Sequence, residues 1–220
     1  MAVIEYIVDG HVAVVTLNSG ENHFNPSFLQ SFLSVLDEVE SKTEATTIVV
    51  TSSHEKIFSN GIDLEWLVPV IQKGDVLGAK AFFYLLNQLF NAGGAILCCA
   101  FDFRFMRSDR GFFCFPEVDL GIPFLPGMNA LLKKAIPMYK LEEMEYTGNR
   151  LTAAACEQHH IITQACTIQD LMPQTLSFAK SVNKKRAVVQ EMKLRLNKDI
   201  VHAIDVEDVP FIESGKFNIG

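Results

Sequence analysis

The sequence predicts an α/β protein, with strand-strand-helix units repeated loosely along the chain and a helical region closing its C-terminal part. Three observations carry that expectation. Two β-rich runs near the start are joined by Asp9-Gly10, a strong hairpin signal. A compact β-branched run at 46–51 ends in a glycine turn and leads into a helical pattern. From Gly127 onward, apolar residues recur mostly at helical spacing.

Taken in order, residues 3–8 and 11–17 are the hairpin strands, and 18–22 is a polar loop. Asn25-Pro26 has the chemistry of an N-cap followed by a first helical residue. Phe28, Leu29, Phe32, Leu33, Leu36 and Val39 then mark one face of a helix that reaches about Ser41. The run 46–51 is short and apolar enough for a buried strand. Asp63 stands where a helix can start, and 63–90 reads as helical with interruptions at Gly74 and Gly78. Residues 79–90 are apolar on most sides and are expected in the core.

Asn91-Ala92-Gly93-Gly94 opens a short apolar helix. Residues 101–107 alternate apolar and polar side chains, Ser108-Asp109-Arg110-Gly111 is a turn, and 112–115 continues as a strand. A second hairpin-type unit is therefore predicted. Helices are predicted over 128–136, 140–146, 153–158 (capped by Thr152), 173–182 (opened by Pro173) and 184–198. The last is basic, with Val188, Val189, Met192 and Leu196 as its apolar stripe. Residues 205–213 form an acidic stretch without a readable element. The expected division is a core over 1–172 and a C-terminal helical segment over 173–220.

Composition narrows the function classes. With 220 residues, 49% hydrophobic and 20% charged, the chain can build a sizeable core within one domain. A net charge of −7 argues against a nucleic-acid partner. No apolar run reaches membrane-spanning length, and neither end carries a readable signal or address tag, so a cytoplasmic protein without a membrane partner is expected. Cys98, Cys99, Cys114, Cys156 and Cys166 form no C-x-x-C pair and read as reduced thiols. Adjacent His159 and His160 point to different sides, so no metal site is expected.

Three stretches carry candidate chemistry. In Ile57-Phe58-Ser59-Asn60-Gly61-Ile62-Asp63-Leu64 a strand delivers backbone amides into a turn, and Gly61 removes the side chain that would block a ligand. Free amides there suit an oxyanion; taken alone, the stretch reads first as a plain strand-to-helix connection with a turn glycine. Gly93-Gly94 allows close approach to first-turn helix amides, or merely tight helix packing. Glu117 lies among Phe112, Phe113, Phe115, Val118, Leu120 and Ile122. Desolvation there would raise its pKa and make it a proton shuttle; a glutamate turned to water is the plainer alternative.

The ordered set resembles the crotonase superfamily, also called the enoyl-CoA hydratase/isomerase family. Its matching residues are Phe58-Ser59-Asn60-Gly61-Ile62-Asp63-Leu64, Ala92-Gly93-Gly94 running to Asp102, Phe115-Pro116-Glu117-x-x-x-Gly121, and Thr147-Gly148-Asn149-Arg150 before an alanine-rich helix. The resemblance implies a crotonase-like spiral of β-β-α units that binds an acyl-CoA, with coenzyme A entering as part of the substrate and no separate cofactor. It places the thioester oxygen on the backbone amides of Ile62 and Gly93, and the catalytic role on Glu117. Phe58, Ser59, Asn60, Gly61, Gly94 and Gly121 would contact the CoA substrate. Basic residues of the 184–198 helix would meet its phosphates, and Trp66, Leu67 and the 79–90 helix would wall the acyl group.

Family hydratases use two glutamates, one of them three residues past Gly93, where this chain has Ile96. Glu117 falls on the other, which the Δ3,Δ2-enoyl-CoA isomerases use alone. The resemblance thus implies an isomerase of fatty-acid β-oxidation, assembled as a homotrimer or hexamer. The alternatives are a hydratase or another crotonase-type enzyme, and a catalytically weak acyl-CoA-binding protein on the same scaffold. A dienoyl-CoA isomerase needs further acidic residues, and Ile96 and Leu125 supply none. One departure stands out. The family carries a proline-led apolar strand and a turn before the glycines, whereas here Phe90 runs directly into Asn91, so about one average strand is missing. Either the strand belongs to the molecule and is absent from this sequence, which the intact flanking motifs favour, or the chain is a truncated variant, whose exposed strand edges would leave the Gly93 amide unsupported.

Overall fold

The computed structural model describes residues 2–89 and 94–215. Strand β1 (Ile4–Asp9) pairs antiparallel with β2 (Val12–Leu17), and Gly10 supplies the φ of +63° that so tight a turn requires. Helix α1 (Pro26–Lys42) follows. The Asn25 side chain accepts a hydrogen bond from the Phe28 amide at 3.1 Å, and Pro26 occupies the position where a missing N–H costs nothing. Phe28, Leu29, Phe32 and Val39 are its buried face, each contributing roughly 1.5–3 kcal/mol of burial. The chain returns in β3 (Thr47–Ser52), parallel to β2, giving a three-stranded sheet in the order β1-β2-β3.

Helices α2 (Leu64–Gln72) and α3 (Val76–Gln88) occupy the predicted helical stretch. Gly74 separates them at φ +73°. Gly78 does not interrupt α3 but belongs to its first turn. Its amide donates to Asp75 Oδ1 at 2.9 Å, and a Cβ there would lie 2.5 Å from Asp75 Oδ2. The glycine makes room for the cap. The junction from Phe90 to Gly93 lies outside the described residues. Helix α4 (Gly94–Ala100) then buries Ile96, Leu97 and Cys99.

The predicted second hairpin does not form. Strand β4 (Phe105–Arg107) pairs in parallel with β5 (Gln164–Cys166), while residues 112–115 contribute one isolated bridge between Phe113 and Leu151. Alternation reports two faces and names no partner, and Phe103 turns instead onto Phe178, with ring centroids 4.7 Å apart. Among the described residues, β3 and β4, the strands either side of the 90–93 junction, are both sheet edges.

Helices α5 (Pro126–Ala135), α6 (Met138–Thr147) and α7 (Ala153–Gln158) follow. Helix α8 (Ile168–Ser181) begins five residues before Pro173, because Thr167 caps it by accepting from the Asp170 amide at 3.2 Å. It packs on β2, β3, β4 and β5, so it bridges the two sheets and runs across the expected division at 172/173.

Helix α9 (Arg186–Leu196) buries no residue, and Val188, Met192 and Leu196 of its predicted stripe are exposed. Helix α10 (Lys198–His202), a π-helical turn over 203–207 and α11 (Asp208–Ser214) give the acidic stretch a structure its composition did not announce. Asp208, fully buried, accepts the Gly127 amide at 2.7 Å and ties α11 to the start of α5. One large apolar cluster joins α1, α3, α4, α5 and α6 to the inner face of the first sheet. All five cysteines are free; burial pushes Cys98 up to about 12 and Cys156 to about 11, which leaves them inert. No helix among the described residues is long and apolar enough to cross a membrane.

Candidate functional site

Phe24 and Ile62 form an isolated parallel bridge: the Phe24 amide donates to Gly61 O at 2.8 Å, and the Asp63 amide donates to Phe24 O at 3.0 Å. In such a bridge the N–H of the central residue points to the opposite side. The Ile62 amide accordingly donates to nothing among the described residues. Gly61 lies one residue earlier at φ +75°, with its amide donating to Ser59 Oγ at 3.0 Å. Asp63 caps α2 through the Trp66 amide at 3.1 Å and accepts from Asn25 Nδ2 at 3.0 Å, so one carboxylate fastens the exit of the loop.

What fastens the rest of this loop is Asn22. It is fully buried, with φ at +53°. Its Nδ2 donates to Phe58 O at 2.8 Å and to Ser52 Oγ at 2.9 Å, and its Oδ1 accepts the Ser19 amide at 2.9 Å. Ser59 Oγ donates back to Asn22 O at 2.7 Å. By sequence Asn22 belongs only to a polar loop, and its place three residues ahead of the Asn25 cap was the one available signal.

Glu117 sits in a 3-10 turn, Pro116–Val118, directly after the buried Phe115. Phe115 meets Phe113 and Phe124 edge-on, both at 5.6 Å, which fixes the backbone entering the turn. The amides of Leu120 and Ile122 donate to Glu117 O at 3.1 and 3.0 Å, and Gly121 at φ +66° allows the chain to close that turn. Shielding is uneven: Phe113 and Phe115 are buried, whereas Phe112, Val118 and Leu120 are exposed. The carboxyl is nonetheless half-buried, and its Oε2 is shielded without a hydrogen-bond partner. Burial raises its pKa to about 7; its own backbone amide opposes the rise and the nearby Glu145 adds to it. A carboxyl that titrates near neutrality both takes and returns a proton at working pH.

The turn rests against the end of α6, where Gly148 adopts φ +64°. A Cβ at Gly148 would lie 2.9 Å from Asp119 Oδ2 and 3.4 Å from Val118 Cγ1. Gly148→Ala is expected to lower stability by about 1–2 kcal/mol through the left-handed backbone alone. Urea denaturation checks this; an unchanged midpoint would show that the helix end leaves the left-handed conformation at no cost.

The other expected site residues fall as follows. Gly94 opens α4, and Gly93 lies outside the described residues. Phe58, Ile62 and Phe124 all pack on the cluster that contains Phe115 and Ile96, so the two loops share one support. Ile96 is buried in that core. Trp66 meets Phe82 at 5.2 Å, and Leu67 is buried beside them. Of two concavities, one of about 390 Å³ on α9 is lined by Val188, Met192 and Arg195 of the basic helix, and one of about 200 Å³ lies between α3 and residues 204–209; neither is lined by Phe58–Ile62, Glu117 or Gly121. Among the described residues no cluster of His, Cys, Asp or Glu has metal-holding geometry.

A protein-family model described as enoyl-CoA hydratase/isomerase matches residues 8–207. The chain is 26% identical over 199 residues to an enoyl-CoA delta isomerase of Arabidopsis thaliana, spanning 80% of this chain and 83% of that relative. It is 25% identical over 214 residues to a short-chain-enoyl-CoA hydratase of Clostridium acetobutylicum, spanning 90% and 82%. The crystal structure of human mitochondrial delta3-delta2-enoyl-CoA isomerase shares the fold with a TM-score of 0.83 at 19% identity, over 97% of this chain and 90% of that one.

Proposed function

Because the chain belongs to the enoyl-CoA hydratase/isomerase, or crotonase, family, we propose that it moves the double bond of an enoyl-CoA from C3 to C2, with Glu117 as the only proton carrier. The observation that carries this reading is the Glu117 carboxyl, half-buried, with Oε2 shielded and without a hydrogen-bond partner among the described residues. As the carboxylate it takes a proton from C2 of a 3-enoyl-CoA. The C2–H electron pair passes into the thioester, giving a dienolate with negative charge on the thioester oxygen. The backbone amides of Ile62 and Gly93 hold that oxygen, each worth on the order of 3 kcal/mol in the transition state. Glu117 then returns its proton to C4, leaving the 2-enoyl-CoA and the original carboxylate.

The Ile62 amide, which donates to nothing among the described residues, supports the first half of that hole. The buried Ile96 supports isomerase over hydratase, because an apolar group where the second glutamate is needed positions no water. In the same reading Phe58, Ser59, Asn60 and Gly61 receive the adenine end of CoA, Gly94 and Gly121 line its path, and residues 173–220 serve assembly into a trimer or hexamer. Identity to the Clostridium hydratase keeps hydration as the second reading.

Incubating the protein separately with a 3-enoyl-CoA and with a 2-enoyl-CoA in water decides between them. Double-bond migration in the first and little hydration in the second is expected. Efficient hydration of the 2-enoyl-CoA would replace the isomerase reading.

A further inference from the structure

The turn that carries Glu117 packs on α6, and Glu117 feels the charge of a carboxyl on that helix, Glu145. Glu145 lies in the last turn of α6, three residues before Gly148, the glycine that lets this helix end press against Val118 and Asp119. Oε1 of Glu145 is shielded and without a partner, as is Oε2 of Glu117. Neither carboxyl takes part in an ion pair among the described residues. Burial raises Glu145 as well, with Lys133 opposing the rise and Glu142 adding to it. Two desolvated carboxyls on packed elements cannot both ionise without repulsion.

The charged surroundings of the pair are few. On α6 Glu142 adds negative charge, and on α5 Lys133 offsets it. Past α6, Arg150 faces the half-buried thiol of Cys114, which also feels Glu117. Asp119, on the turn itself, extends its carboxylate toward Gly148.

Resting on the reading of Glu117 as proton carrier, we propose that Glu145 is a positioning residue that acts through it, its negative charge favouring the state in which Glu117 holds the proton in transit between C2 and C4. Glu145 touches no substrate in this scheme. It makes Glu117 a stronger base than burial alone would, and it does so from α6, outside the turn that carries the shuttle.

The test follows carboxyl carbons by NMR in substrate-free protein labelled at glutamate Cδ, with the Glu117 signal assigned by its loss in Glu117→Gln. In Glu145→Gln the Glu117 midpoint is expected to fall by about one pH unit. By linkage, Glu117→Gln lowers the Glu145 midpoint by the same amount. The acidic limb of kcat/KM for double-bond migration moves down with the Glu117 midpoint. An unchanged Glu117 midpoint in folded Glu145→Gln overturns the proposal, as does a midpoint that falls while the rate profile stays in place. Should Glu145→Gln fail to fold, an unchanged Glu145 midpoint in Glu117→Gln overturns it equally. These titrations require no turnover, so a protein that shows the coupling but no migration refutes the isomerase reading separately.

Discussion

Glu117→Gln is expected to abolish double-bond migration while making the folded chain more stable above neutral pH. A positioned acid–base group contributes roughly 10²–10⁴-fold, and with no other carrier the variant should fall by at least that much. The amide keeps the shape of the side chain but neither takes nor returns a proton. Stability moves the other way for a definable reason. The carboxyl is raised to about 7 in the folded protein from an ordinary 4.5, so between those values the folded state binds the proton that the unfolded state has released. Stability of the native sequence therefore declines as pH rises from about 4.5 to about 7. Glutamine does not titrate. The gain of the variant is expected to be near zero at pH 4 and about 1–3 kcal/mol at pH 8, less than the whole shift because the carboxyl keeps some contact with water. Urea denaturation at both pH values measures it. A difference that is flat across pH would show that Glu117 is not held against its charge, and the shuttle would lose its physical basis.

What the sequence could announce was set by how far each determinant reaches. Asn25, Asp63 and Thr152 each bond an amide three residues ahead, and all three caps are where local spacing put them. Glu117 was visible because its aromatic neighbours are its sequence neighbours. Pairing of β4 was not visible, since its partner β5 lies almost sixty residues away and is three residues long. Pro173 looked like a helix start because its N–H is dispensable there, yet Thr167 supplied a side-chain cap and won. Glu145 has no role legible in the sequence; only the approach of a turn some thirty residues upstream shields one of its oxygens. The apolar stripe of α9 was legible as a stripe, but whether a stripe meets the chain's own core is a tertiary fact, and this one does not.

Asn22 shows the same long reach from the other side, and Asn22→Ala is expected to be the most damaging substitution outside the Glu117 turn. The native side chain donates to Phe58 O and Ser52 Oγ and accepts the Ser19 amide, from a fully buried position. Alanine deletes all three bonds and leaves a partly buried carbonyl without its donor, at roughly 1–3 kcal/mol for such an orphan. It also places an ordinary residue at φ +53°, where asparagine is tolerated and alanine costs about 1 kcal/mol more. Together about 3 kcal/mol of stability should be lost. The larger consequence is local. Phe58 O anchors the loop that carries the Ile62 amide; if that amide holds the thioester oxygen as proposed, one no longer held in place must be ordered again at each turnover. Losing one preorganised donor costs roughly 10²–10³-fold in kcat, so a drop of at least about tenfold is expected from loosening it. Asn22→Asp keeps the acceptor and the tolerance for positive φ while losing both donors, and should fall between the two. The measurement is kcat at a temperature where each variant is fully folded by circular dichroism. A variant that loses stability but retains kcat would mean that the Ile62 amide is held by its bridge to Phe24 alone.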